Sequence, residues 1–143
     1  MRVAKEPADL LESAGYLLAR IGSESRRRFV EGLAEHDLTL SAFSALMVIG
    51  SVPGITQRRL AAAIGVDPRN LVPILDQLAV DGLVARDAHP ADRRRNALNL
   101  TPAGRERLGR LKRVGAQVEL SFLKPLTVSE RKQLLALLRK LTA

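Results

Sequence analysis

The alternation of apolar and polar residues predicts a mainly helical chain. From Leu10 to Leu33, apolar residues recur every three or four positions with charged residues between them, which indicates one amphipathic helix over about residues 8–35. A helix of about 28 residues is ~42 Å long at 1.5 Å per residue. That length exceeds what a small core needs, so we expect a partner chain to cover part of its apolar face.

Three shorter helices are predicted in the middle of the chain. Apolar residues at helical spacing fill each segment, and residues that favour helix ends separate the segments. The expected starts and ends are Ser41 and Pro53–Gly54, Thr56 and Gly65, and Asp67–Pro68 and Asp81–Gly82. Helices joined by short turns in this order are typical of a helix-turn-helix, whose last helix can enter the major groove of DNA.

The hydrophobic pattern changes after the third of these helices. Two short strands are predicted at Leu83–Arg86 and Ala97–Leu100, and the polar segment Asp87–Arg95 should form the long basic tip of a β-hairpin. Two helices should follow, one begun by Thr101–Pro102 and one by the capping box Thr127–Glu130. The expected fold class is mainly α, with six helices: a winged helix-turn-helix core with a two-stranded β wing, flanked by N- and C-terminal helices.

The charge of the chain favours a polyanionic partner. Its 143 residues include 23 Lys and Arg against 15 Asp and Glu, a formal net charge of +8. The segment Leu83–Arg113 holds nine basic and three acidic residues, so +6 of the +8 lies there. Nucleic acid is the first partner that such a charge attracts, and an anionic membrane surface the second. One tyrosine and three phenylalanines are too few for the stacking platforms of single-strand and RNA binders, so duplex DNA is favoured.

Several function classes lack the residues that they need. With no cysteine and two distant histidines, neither a disulfide scaffold nor a metal site is expected. Phosphate-binding glycine motifs and the motif of serine hydrolases are absent, so we expect neither an enzyme nor a cofactor. The uncharged stretch Leu38–Gln57 is rich in hydroxyls and interrupted by Pro53–Gly54, which favours a buried helix and a turn over a membrane span. A cytoplasmic protein is expected.

The wing segment resembles that of a known family. Asp92-x-Arg94, followed after five residues by Leu100–Thr101 and then Gly104, is similar to the wing signature of the MarR (multiple antibiotic resistance regulator) transcription factors. Further similarity lies at Leu38–Leu40, Thr56–Gln57 and Gly65–Asp67. The resemblance implies an obligate homodimer over a palindromic operator, with a cleft for small, often phenolic, effectors. It divides the chain into an N-terminal dimerisation helix (1–36), a DNA-binding domain (37–101) and C-terminal dimerisation helices (102–143).

The same resemblance assigns roles in the wing and the recognition helix. Arg94 would enter the minor groove, and Asp92 would pair with a nearby arginine to hold the tip. Arg69 and Asn70 would reach base edges, where arginine can bind guanine and asparagine adenine; the alternative for Asn70 is a local capping role. Phosphate contacts are expected from Gln57, Arg58, Arg93 and Arg95.

The sequence departs from the family at Pro73. This residue falls inside the recognition helix, where family members often carry a basic or polar residue, and it removes a hydrogen bond to the Arg69 carbonyl. We expect a kink or a loosened first turn there. The absence of cysteine excludes the thiol-based peroxide sensors of the family. Candidate effector contacts are Tyr16, Arg20, His36, Phe43 and Met47.

The function expected from these observations is sequence-specific binding of duplex DNA by a homodimer, as a transcriptional repressor released by a small ligand. Two alternatives stay open. The first is a winged-helix dimer that serves as a protein-interaction module, with its basic wing on an acidic partner. The second is a non-specific, architectural DNA-binding protein. The ratio of operator affinity to random-DNA affinity separates the three, because a repressor binds its site ~10³–10⁷ times more tightly than random DNA.

Overall fold

The chain folds as two compact units. The computed structural model describes residues 7–142, and the side chains of His89 and residues 93–95 are outside the description. The first unit combines the residues up to Glu31 with those from Gly115 onward, and the second spans Gly32–Val114. The three-part division expected from the sequence stays a prediction.

Most of the described residues are helical, which confirms the expected fold class. The elements, in chain order, are α1 (Ala8–Leu11), α2 (Ala14–Ala34), α3 (Leu40–Ser51), β1 (Ile55–Thr56), α4 (Gln57–Ile64), α5 (Pro68–Val80), β2 (Val84–His89), β3 (Asp92–Leu100), α6 (Pro102–Phe122) and α7 (Val128–Leu141). Between residues 7 and 142 there are thus seven helices rather than the six expected, because the first predicted helix is divided.

The division of the first helix was not predicted. The apolar periodicity continues through this region, but Ser13 accepts a hydrogen bond from the Tyr16 backbone N–H at 3.3 Å. Serine in this role satisfies one of the free N–H groups of a helix start, so α2 begins anew at Ala14. A second correction concerns α3, whose N-cap is Thr39 rather than Ser41. Thr39 accepts from the Ala42 N–H, and this places the start of α3 at Leu40.

The other predicted helix ends are confirmed. Asp67 caps α5, with Pro68 at its first position, and Gly65 ends α4 in the left-handed conformation, with φ of 70°. Thr127 and Glu130 form both hydrogen bonds of a capping box at the start of α7. Each of these ends follows from local chemistry that involves residues two to four positions apart.

The sheet is larger than the predicted hairpin. It has three antiparallel strands in the order β1-β3-β2, and β1, which pairs Ile55 with Leu98, was not predicted. The wing strands are also longer than expected, since Ala88 pairs with Asn96 and His89 with Asp92. This register leaves residues 93–95 as extra residues of β3, a bulge near the tip. The predicted long loop is therefore a short turn followed by an irregular basic strand.

The hydrophobic core lies in the second unit. Fully buried aliphatic side chains from α2, α3, α4, α5, β3 and α6 fill it, and the largest are Leu33, Leu46, Ile49, Leu60, Leu71, Leu75, Leu78, Leu98 and Leu111. The stretch Leu38–Gln57 supplies α3 and β1 to this core, as its hydroxyls and turn suggested. No helix among residues 7–142 is long and apolar enough to cross a membrane.

Charged side chains organise the exposed face of α2. Glu24 accepts hydrogen bonds from Arg27 at 2.7 and 2.9 Å and from Arg28 at 2.8 Å. These bonds, that from Arg27 first, lower the pKa of the Glu24 carboxyl to about 2. Arg28 also lies over the ring of Phe122 from α6, 5.1 Å from its centroid. The network thus ties α2 to α6 within the first unit.

Candidate nucleic-acid interface

The recognition helix α5 packs one face on the core and leaves the other open. Leu71, Leu75 and Leu78 form its buried row. Arg69, in the first turn, is exposed over 92% of its side chain. Asp67 accepts from the Arg69 backbone N–H at 2.8 Å and contacts its guanidinium at 3.3 Å. The start of α5 is thereby fixed while the Arg69 side chain remains accessible.

Asn70 is exposed in the same turn, and the capping role belongs to Asp67, not to Asn70. α5 runs unbroken through Pro73 from Pro68 to Val80, and its first turn is formed, with the Asn70 and Leu71 N–H groups bonded to the Asp67 carbonyl. The expected kink at Pro73 stays a prediction. Arg69 and Asn70 therefore occupy the first turn, as the sequence predicted. Their contacts to bases stay predictions.

Helix α4 precedes the recognition helix and begins with Gln57 and Arg58. Thr56 caps it, accepting from the Arg59 N–H at 3.4 Å. Gln57 is half-buried, whereas Arg58 and Arg59 are exposed. Side chains at a helix start lie beside backbone N–H groups and the positive end of the helix dipole, which suits a phosphate group. Of the two side chains predicted to contact phosphate here, Arg58 is thus accessible and Gln57 is partly accessible.

The basic wing is formed by β2 and β3. Asp92 is half-buried and lies opposite His89 in the register of the two strands. The backbone of Arg93, Arg94 and Arg95 belongs to β3, at the bulge next to the tip, and their side chains lie outside the described residues. The predicted roles of these three arginines, and the pairing of Asp92 with a nearby arginine, stay predictions.

The base of the wing is held by the motif that the sequence singled out. Thr101 donates its hydroxyl to the Gly82 carbonyl at 2.5 Å and accepts from the Gly104 N–H at 3.0 Å. Its own N–H donates to the Leu83 carbonyl at 3.1 Å. Gly104 is buried, and a Cβ added there would overlap the carbonyl of Leu83. The threonine and the glycine together join the start of α6 to the segment that leads into β2.

An ion pair that the sequence did not reveal connects the wing to the recognition helix. Arg86 of β2 contacts the Asp76 carboxylate of α5 at 2.6 Å. The Arg86 side chain is 28% exposed and that of Asp76 57%. The two residues are ten positions apart and belong to different elements, so no periodicity could indicate their contact. The pair fixes the relative position of two segments that are both expected to contact DNA.

A second interaction that sequence reasoning missed lies at the end of α2. Arg107 of α6 donates to the backbone carbonyl of His36, just beyond the last turn of α2. A cation at this end also complements the negative end of the helix dipole. His36 thus takes part in the structure through its backbone, and its side chain is exposed.

The remaining candidate effector residues are divided between the two units. Tyr16 and Arg20 lie on α2 in the first unit, where Tyr16 is half-buried and Arg20 exposed. Phe43 and Met47 are half-buried one turn apart on α3 in the second unit. No group of histidine and carboxylate side chains in the described part of the chain is placed to hold a metal ion. The effector assignment stays a prediction.

Known proteins similar to the chain decide its family. The family model "MarR family" matches residues 36–95, which include α3, α4, α5 and most of the wing. A protein described as the transcriptional regulator of the hcr operon of Thauera aromatica is 34% identical over 128 residues, which cover 89% of this chain and 77% of that protein. The chain belongs to the MarR family. The resemblance seen in the wing and helix-turn-helix is therefore confirmed.

Other MarR-family proteins match over nearly the whole chain. The HTH-type transcriptional repressor Rv2887 of Mycobacterium tuberculosis is 31% identical over 127 residues, 89% of this chain and 91% of the repressor. The structure of CouR, a transcriptional repressor bound to a 23-mer DNA duplex, has a TM-score of 0.79 at 32% identity, covering 97% of this chain and 99% of that chain. Apo MarR from E. coli gives a TM-score of 0.80 at 29% identity, covering 92% and 98%.

A structure of Rv2887 in complex with p-aminosalicylic acid is also similar, with a TM-score of 0.76 at 29% identity over 92% of this chain and 99% of that chain. The relatives are transcriptional regulators. This MarR-family chain is accordingly a winged-helix transcriptional regulator and not an enzyme.

Proposed function

We propose that this MarR-family protein is a repressor that binds a palindromic duplex operator as a homodimer and leaves it when a small ligand binds. The observation that carries the proposal is the arrangement of α5 and the wing: the exposed recognition helix contacts β2, whose partner strand β3 bears three consecutive arginines. The major groove accommodates such a helix, and the narrow minor groove attracts arginine. Relatives bound to DNA, CouR among them, support the same partner.

The first unit supports the homodimer. None of its described residues is buried in a single chain, although its helices carry many large apolar side chains. Its exposed apolar residues are Leu10, Leu11, Leu18, Ile21, Val30, Leu120, Val128, Leu135, Leu137, Leu138 and Leu141. Helices with an apolar stripe require a partner that covers it. A second copy of this chain would bring two recognition helices to half-sites about one helical turn, roughly 34–36 Å, apart.

A small ligand is proposed as the releasing signal because a similar repressor structure, that of Rv2887, contains p-aminosalicylic acid. An aromatic acid needs an apolar surface for its ring and a cation or hydrogen-bond donor for its carboxylate. The candidate residues Tyr16, Phe43, Met47, Arg20 and His36 offer these two kinds of group. We infer that the protein acts in the cytoplasm, where bacterial operators are found.

The test is a titration of the protein against DNA that flanks its own gene and against scrambled duplex, at two salt concentrations. A repressor should bind one fragment selectively, whereas an architectural protein would bind both duplexes alike and an interaction module neither. Arg94→Ala should weaken operator binding by about tenfold, because one charged contact in the groove is lost. Fluorescence anisotropy measures this change.

The matched control is Lys132→Ala, which removes one positive charge from the exposed face of α7. It should leave operator affinity within a factor of about two, since Lys132 is not among the residues that we expect to contact DNA. Light scattering should report the same dimer mass for the parent and both variants. Equal affinity of Arg94→Ala and the parent would contradict the role of Arg94 in the wing.

A further inference from the structure

The outward face of α5 combines polar side chains with exposed apolar ones. At 3.6 residues per turn, Arg69, Pro73 and Val80 lie within about 40° of one another, on the side opposite the buried leucine row. Val80 is 81% exposed and Val72, next to Pro73, is 42% exposed. Pro73 itself is exposed. An apolar strip of Val72, Pro73 and Val80 thus follows Arg69 along this face, and it is interrupted by Asp76, whose carboxylate is paired with Arg86.

Pro73 is the central residue of this strip and the most constrained. It lies inside α5, where it has no N–H to donate to the Arg69 carbonyl, yet the helix continues to Val80. A proline in a helix interior lowers helix stability, and because its ring is exposed, packing within the chain does not compensate for that loss. Its ring has neither a donor nor an acceptor, so it cannot read a base by hydrogen bonding.

We propose that Pro73, with Val72 beside it, selects thymine by contact with the 5-methyl group in the major groove, next to the base bound by Arg69. Thymine is the one base of DNA that presents a methyl group there, and apolar side chains recognise it. Pro73 lies one helical turn beyond Arg69, so the two residues face neighbouring base pairs. The inference rests on the proposed DNA-binding function and names one specificity determinant within it.

The contact predicts that a single methyl group matters. Removing a buried methyl from an apolar contact weakens binding about three- to fivefold. Replacing thymine by deoxyuridine removes only this methyl and leaves base pairing and the O4 acceptor unchanged. A position at which this exchange weakens binding therefore reports the apolar contact and not a hydrogen bond.

The experiment first selects an operator from a randomised duplex library with the full-length protein. Each thymine of that operator is then replaced in turn by deoxyuridine, and anisotropy gives the affinity of the parent, Pro73→Ala and Val80→Ala. Alanine favours helix, so Pro73→Ala should fold. At one position per half-site, we expect the exchange of thymine for deoxyuridine to lower the affinity of the parent about three- to fivefold. At that position Pro73→Ala should bind the thymine and deoxyuridine duplexes equally, whereas Val80→Ala should still prefer thymine.

Other outcomes are equally clear. If Pro73→Ala discriminates between thymine and uracil as well as the parent does, or if no exchange affects the parent, the assignment of Pro73 is overturned although the DNA-binding function stands. Loss of discrimination only in Val80→Ala would overturn it in favour of the last turn of α5. If the library yields no operator because the protein binds no duplex, the proposed function itself fails, and this inference with it.

Discussion

Two glycines of the same helix should respond to alanine in opposite directions. Gly104 lies in the first turn of α6, where an added Cβ would overlap the Leu83 carbonyl oxygen and lie 2.9 Å from the carbonyl carbon. Gly109 lies five residues on, where the nearest heavy atom, a guanidinium nitrogen of Arg113, is 3.8 Å away. One helix therefore contains both a site without room for a methyl group and a site with ample room.

The magnitude follows from what must move at Gly104. The overlap involves backbone, so either α6 or the segment before β2 has to shift, and overpacking of this kind costs ~1–3 kcal/mol. The shift also strains the Thr101 bonds to Gly82 and Leu83, each worth about 1 kcal/mol. The higher helix propensity of alanine than of glycine offsets about 1 kcal/mol of this cost. Gly104→Ala should thus lower the free energy of unfolding by ~2–4 kcal/mol.

Gly109→Ala meets no obstacle and gains helix propensity, so it should raise the free energy of unfolding by ~0.5–1 kcal/mol. Urea unfolding followed by circular dichroism measures both changes. All proteins are compared at one concentration, because the stability of a dimer depends on it. If Gly104→Ala is as stable as the parent, the Leu83 carbonyl is not tightly packed against α6, and the explanation given for the base of the wing is wrong.

Three further predictions test the wing, the recognition helix and the ion pairs of α2. Asp76→Asn should lower operator affinity several-fold, because it releases Arg86 from the ion pair. The control Asp87→Asn should raise affinity slightly, because it removes a negative charge near the DNA. If anisotropy shows a rise in affinity for both variants, Asp76 does not position the wing. Arg69→Ala should relax base preference at one position per half-site in a library selection, and an unchanged profile would refute its base contact. The low pKa of Glu24 stabilises the protein above pH ~4.5, and this contribution is lost as the pH falls toward 2. The thermal midpoint of Glu24→Gln should therefore fall less than that of the parent between pH 5 and pH 2.5. If the midpoints of both proteins fall by the same amount over this range, the ion pairs of Glu24 do not stabilise the fold.

The parts of the fold that were predicted from sequence depend on local chemistry. Asp67–Pro68 marks the start of α5 and the Thr127–Glu130 capping box that of α7, because both signals act within one helical turn. The break before Ala14 was missed because apolar periodicity continues across it, and one serine cap is a weak signal. Strand β1 was missed because two residues show no alternation, and only the distant pairing of Ile55 with Leu98 defines it.

In the candidate site, too, local features were predictable from the sequence and contacts between distant elements were not. Residue type and spacing placed Arg69 and Asn70 in the first turn of α5, because Asp67 begins that turn. The Arg86–Asp76 pair joins a strand to a helix, and its contact depends on how β2 packs beside α5, which sequence spacing does not encode. The length of the wing was also underestimated, because Asp87 and His89 are polar and give no strand alternation. Their pairing with β3 comes from register set at the base of the hairpin.

Affinity and base selection would arise from different parts of this protein. The wing and the start of α6 hold most of the excess positive charge, whereas the outward face of α5 has one arginine followed by a proline, two valines and an aspartate that is paired with Arg86. Loss of Arg94 should therefore reduce the dependence of binding on salt, since fewer counterions are released. Loss of the Pro73 ring removes no charge and should leave that dependence unchanged while altering base preference. Because the Arg86–Asp76 pair and Thr101 hold the wing to the recognition helix and to α6, the two contributions would reach the DNA in a fixed register, and each could be changed without the other.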